Sequence, residues 1–163
     1  MNLKNRSHFD SFFVYNGDKE GMNMIEKAKL EGSEDIYQLL YELEQIELPH
    51  DLFMKNYKNG LNDSNILYLV YKYESKNIAF MSFYIKDYLH HTGRTGEIVE
   101  LVVLPEYRGL RVGHQMIEYI EDYAKKSHLI EIELSTSTYR KKAHLFYEAH
   151  GFEKDHYNYT KDI

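Results

Sequence analysis

Residues 107–117 read YRGLRVGHQMI, which places two arginines and two glycines just before a run with helical spacing. The first turn of a helix leaves backbone N–H groups without partners, and the helix dipole adds partial positive charge there. Gly109 and Gly113 let a ligand come close to the main chain. Arg108 and Arg111 supply guanidinium groups suited to phosphate oxygens. The chemistry on offer is anion binding, and the arrangement suits a diphosphate. Two phosphate loops are excluded: no Gly-Lys-Ser/Thr follows, and the G-x-G-x-x-G spacing is absent. For this stretch alone, a tight turn into a surface helix with solvated arginines is an equally good reading.

A second stretch, RKKAHLFYEAHGF (140–152), is an amphipathic helix stopped by Gly151, which sits where a C′ glycine belongs. On pattern alone its Ala143, Phe146 and Tyr147 are core residues and His144 is a surface histidine. Two carboxylates, Glu97 and Glu100, lie in the apolar run GEIVELVVLP. Glu97 shares strand parity with Leu101 and Val103, whereas Glu100 lies on the other parity unless a bulge interrupts the strand. Metal chemistry is not expected: no H-E-x-x-H occurs, and His144 and His150 are six apart, off a common helical face. His90 and His91 read as part of a turn.

The elements that hold these groups follow from periodicity. Residues 22–32 (MNMIEKAKLEG) look like an opening strand and turn. Ser33 is a candidate N-cap with Glu34 and Asp35 behind it, and Ile36, Leu39, Leu40 and Leu43 mark one helical face. Pro49 can start a second helix running to about Lys58, before Asn59-Gly60. Residues 66–74 and 77–85 are strands rich in β-formers, joined at Ser75-Lys76 as an antiparallel hairpin. Glu97 to Leu104 is a third strand ended by Pro105. The helix after it buries Val112, Met116, Ile120, Tyr123 and Ala124 and ends by Ser127. LIEIEL (129–134) alternates as a strand, and Phe152 to Lys161 reads as a last strand or strand pair. The strand–helix–strand order between Glu97 and Leu134 implies a parallel or splayed pair in an otherwise antiparallel sheet.

The length of 163 residues suits one domain, and 43% apolar residues suit a globular one. Residues 1–21 read as an N-terminal extension, flexible or forming an extra edge strand, and 22–163 as the domain. The absence of cysteine excludes disulfides and thiolate metal sites. A net charge of −6 argues against nucleic acid as a partner. No segment approaches the ~20 apolar residues of a membrane span, so a cytoplasmic location is expected.

Taken together, the two stretches are more specific than either alone. LVVLPEYRGLRVG resembles the acetyl-CoA motif of the GNAT superfamily of acyl-CoA N-acyltransferases: a strand ending in V-x-P, then Arg/Gln-x-x-Gly-x-Gly/Ala, then a helix. RKKAHLFYEAHGF is similar to that superfamily's second motif, A-H-x-F-Y-E-x-x-G-F. The resemblance covers roughly residues 22–163. It implies an α/β fold with a central twisted, mostly antiparallel sheet, a splayed parallel strand pair and flanking helices. It implies an acetyl-CoA-dependent N-acetyltransferase acting on a primary amine, with a CoA-binding sensor of little catalytic power as the alternative. The coenzyme's pantetheine is then expected along Leu101, Val102 and Val103. Its diphosphate is expected on Arg108, Gly109, Leu110, Arg111, Val112, Gly113 and His114, with His144 and Tyr147 close by. Tyr147 is implied as the general acid and Glu100 or Glu97 as the base. The segment from Glu47 to Asp63 and the C-terminal strands would shape the acceptor pocket, with Glu47, Asp51, Tyr57 and Asp63 as generic candidates; a second copy of the chain is a candidate for completing it. One departure stands out: Arg111 replaces the motif's middle glycine. A negative φ there keeps its N–H on the phosphates, whereas a positive φ brings strain.

Overall fold

The computed structural model describes residues 24–163; the expected extension at 1–21 lies outside them. In chain order the elements are β1 (Met24–Lys27), α1 (Ser33–Glu44), α2 (His50–Leu61), β2 (Ile66–Tyr73), β3 (Lys76–Asp87), β4 (Arg94–Val103), α3 (Val112–Lys126), β5 (Glu131–Leu134) and α4 (Lys141–Ala149). The strands form one sheet in sequence order, β1 to β5. The first three pairings are antiparallel, and β4 with β5 is parallel.

Strand alternation sends the apolar residues to two cores. On one face Leu69, Met81, Phe83 and Ile98 pack under Met116, Ile117 and Ile120 of α3, and Phe146 and Tyr147 of α4 join them. On the other, Val70, Phe80 and Val102 pack under Ile36 and Leu39 of α1 and Phe53 and Tyr57 of α2.

Several boundaries differ from the sequence reading, each for a physical reason. Ser33 is not the N-cap. A one-turn 3-10 helix, Leu30–Gly32, runs straight into α1, so Ser33 is its first residue and is buried. The capping carboxylate Asp35 instead binds β3, accepting from Asn77 Nδ2 at 3.0 Å. Helix α2 continues through Gly60 to Leu61, and Gly60 is buried with the Tyr68 ring in the space a Cβ would take. The β2–β3 turn is Glu74-Ser75, with Tyr73 opposite Lys76 and Glu74 left-handed at φ 53°. Strand β4 begins three residues earlier than expected.

The expected strand at 152–161 is irregular backbone. Tyr157 and Tyr159, the rings that would face a core, are 85% and 89% exposed, so pairing there would bury almost nothing apolar.

Candidate active site

The parallel pairing of β4 with β5 runs from Thr95 opposite Glu131 to Ile98 opposite Leu134. Beyond Leu134, β5 has ended while β4 continues to Val103, so the sheet opens along Val99–Val103. At the same place β4 carries a bulge: Phe83 pairs with Ile98 and Ser82 with Glu100, so Val99 is the extra residue. This corrects the parity argument. Tyr84 pairs with Glu97 and Ser82 with Glu100, which puts both glutamates on the α1/α2 face with Val102. Leu101 and Val103 pack on the α3 face. Without the bulge Glu97 and Glu100 would lie on opposite sides.

Their surroundings separate them. The Lys86 ammonium is ion-paired to Glu97 Oε2 and lies 3.8 Å from Glu133. Burial lowers the Lys86 pKa, but the bonds to Glu97 and Tyr88 outweigh it and hold the ammonium above its usual value. Glu97 is therefore committed to a cation. Glu100 has none. Its carboxylate accepts from the Ser82 hydroxyl, whose oxygen in turn accepts from the Glu100 N–H at 3.1 Å. Burial, with the charges of Glu44 and Glu97, pushes its carboxyl pKa up to about 7. A carboxylate balanced between its two forms near neutrality is suited to taking up a proton.

Glu100 forms part of the wall of a cavity of about 250 Å³ between α1, α2 and the sheet. Leu40, Leu52, Phe53 and Phe80 supply apolar surface, and Tyr68, Tyr84 and Asn56 supply polar groups. Tyr57 also lines it, although its hydroxyl is bound to Lys29 O at 2.9 Å. Of the other generic acceptor candidates, Glu47 and Asp51 are exposed, and Asp63 holds the turn before β2 through Asn65 N at 2.8 Å.

On the opposite face is the loop from β4 into α3. Gly109 has φ 82° and Arg111, the N-cap, has φ 63°. The positive φ at Arg111 is the strained case for an L residue. Its side chain makes no hydrogen bond among the described residues. The Arg108 guanidinium is turned away from the helix start: Nε donates to Val103 O and Nη2 to Glu42 Oε1, both at 2.9 Å. Arg140, at the start of α4, binds the same end of α1, donating to Leu43 O at 2.9 Å and meeting Glu44 at 3.3 Å. The first helical N–H bond of α3 is Gln115 to Arg111 O at 2.9 Å. The N–H groups of Val112, Gly113 and His114 are the free donors of that helix start. Leu110 is exposed at the tip of the loop.

Helix α4 closes this side. A Cβ at Gly113 would meet the Phe146 ring at 3.4 Å, an ordinary van der Waals contact, so Gly113 of α3 faces Phe146 of α4. Tyr147 is half-buried against Phe146 and Phe152; burial raises its phenol pKa and the Arg140 charge partly opposes this. His144 does not reach towards the loop start, since its Nε2 is 3.0 Å from Ser137 O in the β5–α4 connection.

A half-buried carboxylate and a half-buried phenol thus stand on opposite faces of a sheet that is open between them. A helix start with free donors lies beside the opening. The model of the acetyltransferase (GNAT) family matches residues 33–152. The chain belongs to the GNAT acetyltransferase family. It is 33% identical over 139 residues to aminoalkylphosphonate N-acetyltransferase of Salmonella typhimurium, a match covering 85% of this chain and 90% of that protein. Among solved structures it is similar to the aminoglycoside N-acetyltransferase AAC(6')-Iy in complex with CoA: TM-score 0.79, 18% identity, 89% of this chain and 97% of that one. It is also similar to glucosamine-6-phosphate N-acetyltransferase from Arabidopsis thaliana: TM-score 0.74, 21% identity, 87% and 99% covered. As a GNAT acetyltransferase it carries out acetyl-CoA-dependent N-acetylation, and nothing in these comparisons supports the sensor alternative. No helix among the described residues is long and apolar enough to cross a membrane.

Sequence reasoning missed Ser82, Lys86 and Glu44, which distinguish Glu100 from Glu97. Ser82 had a faint signal, a lone hydroxyl in the apolar run AFMSFY.

Proposed function

We propose that this GNAT acetyltransferase acetylates a short primary amine, with Glu100 as the base and Tyr147 as the acid. The observation that carries this is Glu100 itself: half-buried, without a cation among the described residues, pushed up to about 7, and lining a cavity of about 250 Å³ beside the opening in the sheet. The residues around that opening fit the coenzyme. The free N–H groups of Val112, Gly113 and His114 suit a diphosphate. The edge of β4 along Leu101, Val102 and Val103, unpaired on the β5 side, suits an extended pantetheine.

Acetyl-CoA supplies a thioester whose carbonyl carbon the amine nitrogen attacks, forming the N–C bond of the amide as the C–S bond breaks. Glu100, ionised, accepts the proton that the amine must lose, because an alkylammonium with a pKa near ~10 has no free lone pair at neutral pH. Tyr147 keeps its proton across the working range, since burial raises its phenol, and donates it to the departing sulfur. Glu97, held by Lys86, tunes Glu100 through its charge. Arg111 replaces the missing glycine as a cation beside the diphosphate.

The cavity volume favours a small acceptor over a bulky one. The Salmonella relative is named for aminoalkylphosphonates. The charges that act on Glu100 belong to Glu97 and Glu44, and each has a cation beside it, Lys86 and Arg140. Both cations are already paired and neither lines the cavity, so an acceptor with an anionic head is proposed on the name of that relative alone. The test is release of free thiol from acetyl-CoA with 2-aminoethylphosphonate, ethylamine, an aminoglycoside and a lysine peptide. We expect turnover with the first, and a KM at least tenfold higher for ethylamine. Equal KM values would remove the anionic head from the proposal; turnover only with the aminoglycoside or peptide would overturn the short acceptor.

A further inference from the structure

The cavity beside Glu100 has a neighbour. A second cavity, of about 290 Å³, lies at the C-terminal end of α2. Ile66, Leu67 and Tyr123 give it apolar surface, and the exposed Asn62, Asp63 and Ser64 form its rim. The two cavities follow one another along α2. Phe53 and Tyr57 line the first and Gly60 lines the second. These three are the buried residues of α2, spaced three and four apart on one helical face.

Among the described residues, Tyr68 of β2 is the one that both linings share. Its ring is stacked on Tyr57, with centroids 5.4 Å apart and planes 11° apart, and is tilted against Phe80 at 5.7 Å. Its hydroxyl end lies under Gly60, in the space a Cβ would take. A ring held from three sides at the junction of two cavities is a partition between them.

The strand register sets the distance from this partition to the base. Tyr68 pairs with Ser82, and Ser82 pairs with Glu100, so the three stand in one row across β2, β3 and β4. Two strand spacings separate the ends of that row, about 10 Å. Between them is only the short side chain of Ser82, whose hydroxyl is bound to Glu100. An amine with its nitrogen at Glu100 and its chain along this row runs into the Tyr68 ring.

We propose that Tyr68 sets the length limit of the acceptor: its ring closes the cavity beside Glu100 and keeps the second cavity out of reach. This rests on the reading of the Glu100 cavity as the acceptor site. Tyr68 selects by excluding long chains and takes no part in proton transfer.

The experiment is thiol release from acetyl-CoA with ethylamine, butylamine, hexylamine and octylamine, by the wild type, Tyr68→Ala, Tyr68→Leu and Tyr68→Phe, with melting curves to confirm folding. In the wild type, kcat/KM for octylamine should be about tenfold or more below that for butylamine, as expected when extra methylenes have no room. Tyr68→Ala joins the two cavities, and the gap between these two amines should shrink to within about threefold or reverse. Tyr68→Leu keeps more of the packing and should move the limit the same way by less. Tyr68→Phe retains the ring, so it should retain the wild-type limit. A variant profile that falls equally at every chain length would overturn the partition, as would a Tyr68→Phe profile that matches Tyr68→Ala. The wild type decides even if the smaller side chains prevent folding: equal turnover of all four amines would overturn the length limit alone. Acetylation of none of the four would instead overturn the short-amine reading of the Glu100 cavity, and the length limit with it.

Discussion

At the proposed diphosphate end the donors are backbone N–H groups from one short stretch, Val112 to His114, with Arg111 as the N-cap beside them. At the proposed acceptor end the cavity is lined by side chains from α1, α2, β2, β3 and β4, and the charges acting on Glu100 are negative. The difference matches the two jobs. A diphosphate needs a fixed array of donors, which a helix start provides whatever its side chains. An amine must be brought in as a cation and then lose its proton, which requires a carboxylate whose pKa has been raised by its neighbours. Loop substitutions should therefore change coenzyme affinity, and wall substitutions should change turnover.

The sharpest test of that division is Glu100→Gln. It should lower kcat by about 10²- to 10⁴-fold, the usual worth of a general base, while CoA affinity measured by calorimetry stays within about twofold. Next is Tyr147→Phe, expected to cut kcat about 10²-fold in the thiol-release assay, also with little change in coenzyme affinity. Unchanged turnover would leave Tyr147 as a packing residue. Arg111→Gly should move the other end in two directions. Relief of the left-handed backbone should stabilise the fold by about 1 kcal/mol in chemical denaturation. Loss of the cation should weaken CoA binding by about three- to tenfold. A loop in which Arg111 contributes nothing to the ligand would gain stability without losing affinity.

A further effect is on stability against pH. The folded-state pKa of Glu100 lies above that of a free glutamate, so the folded protein binds this proton more tightly than the unfolded chain. Its contribution is most favourable at low pH and is lost as pH rises from the ordinary glutamate range through about 7. Glu100→Gln should thus be neutral to stability near pH 4.5, yet more stable than the wild type at pH 8 by on the order of 1–2 kcal/mol, allowing for solvent screening. Thermal melts at the two pH values would check the sign.

The same contrast governs what the sequence could disclose. The proposed coenzyme loop is contiguous, so residues 101–113 and 140–152 carried the family resemblance. Apolar periodicity was enough for the order of elements along the chain, the β2–β3 hairpin and the parallel β4–β5 pair. The acceptor wall is not contiguous. Glu44, Ser82 and Glu100 lie on three elements, and only the fold brings them together. The side on which Glu97 points turned on one extra residue, Val99, because a bulge in an apolar strand leaves no change in composition. The pairing of Arg108 with Glu42 was not legible, because the two are 66 positions apart. The expected last strand failed for the converse reason, since its alternating tyrosines have no apolar surface to meet.

The central claim is that Glu100 takes the proton of the acceptor amine. The direct measurement is kcat against pH for the wild type and Glu100→Gln, at saturating acetyl-CoA and 2-aminoethylphosphonate. The wild type should climb with unit slope and level off around a pKa near 7, as the Glu100 environment requires, and the variant should lose that limb along with most of its rate. A variant that keeps both the limb and the rate would contradict the assignment.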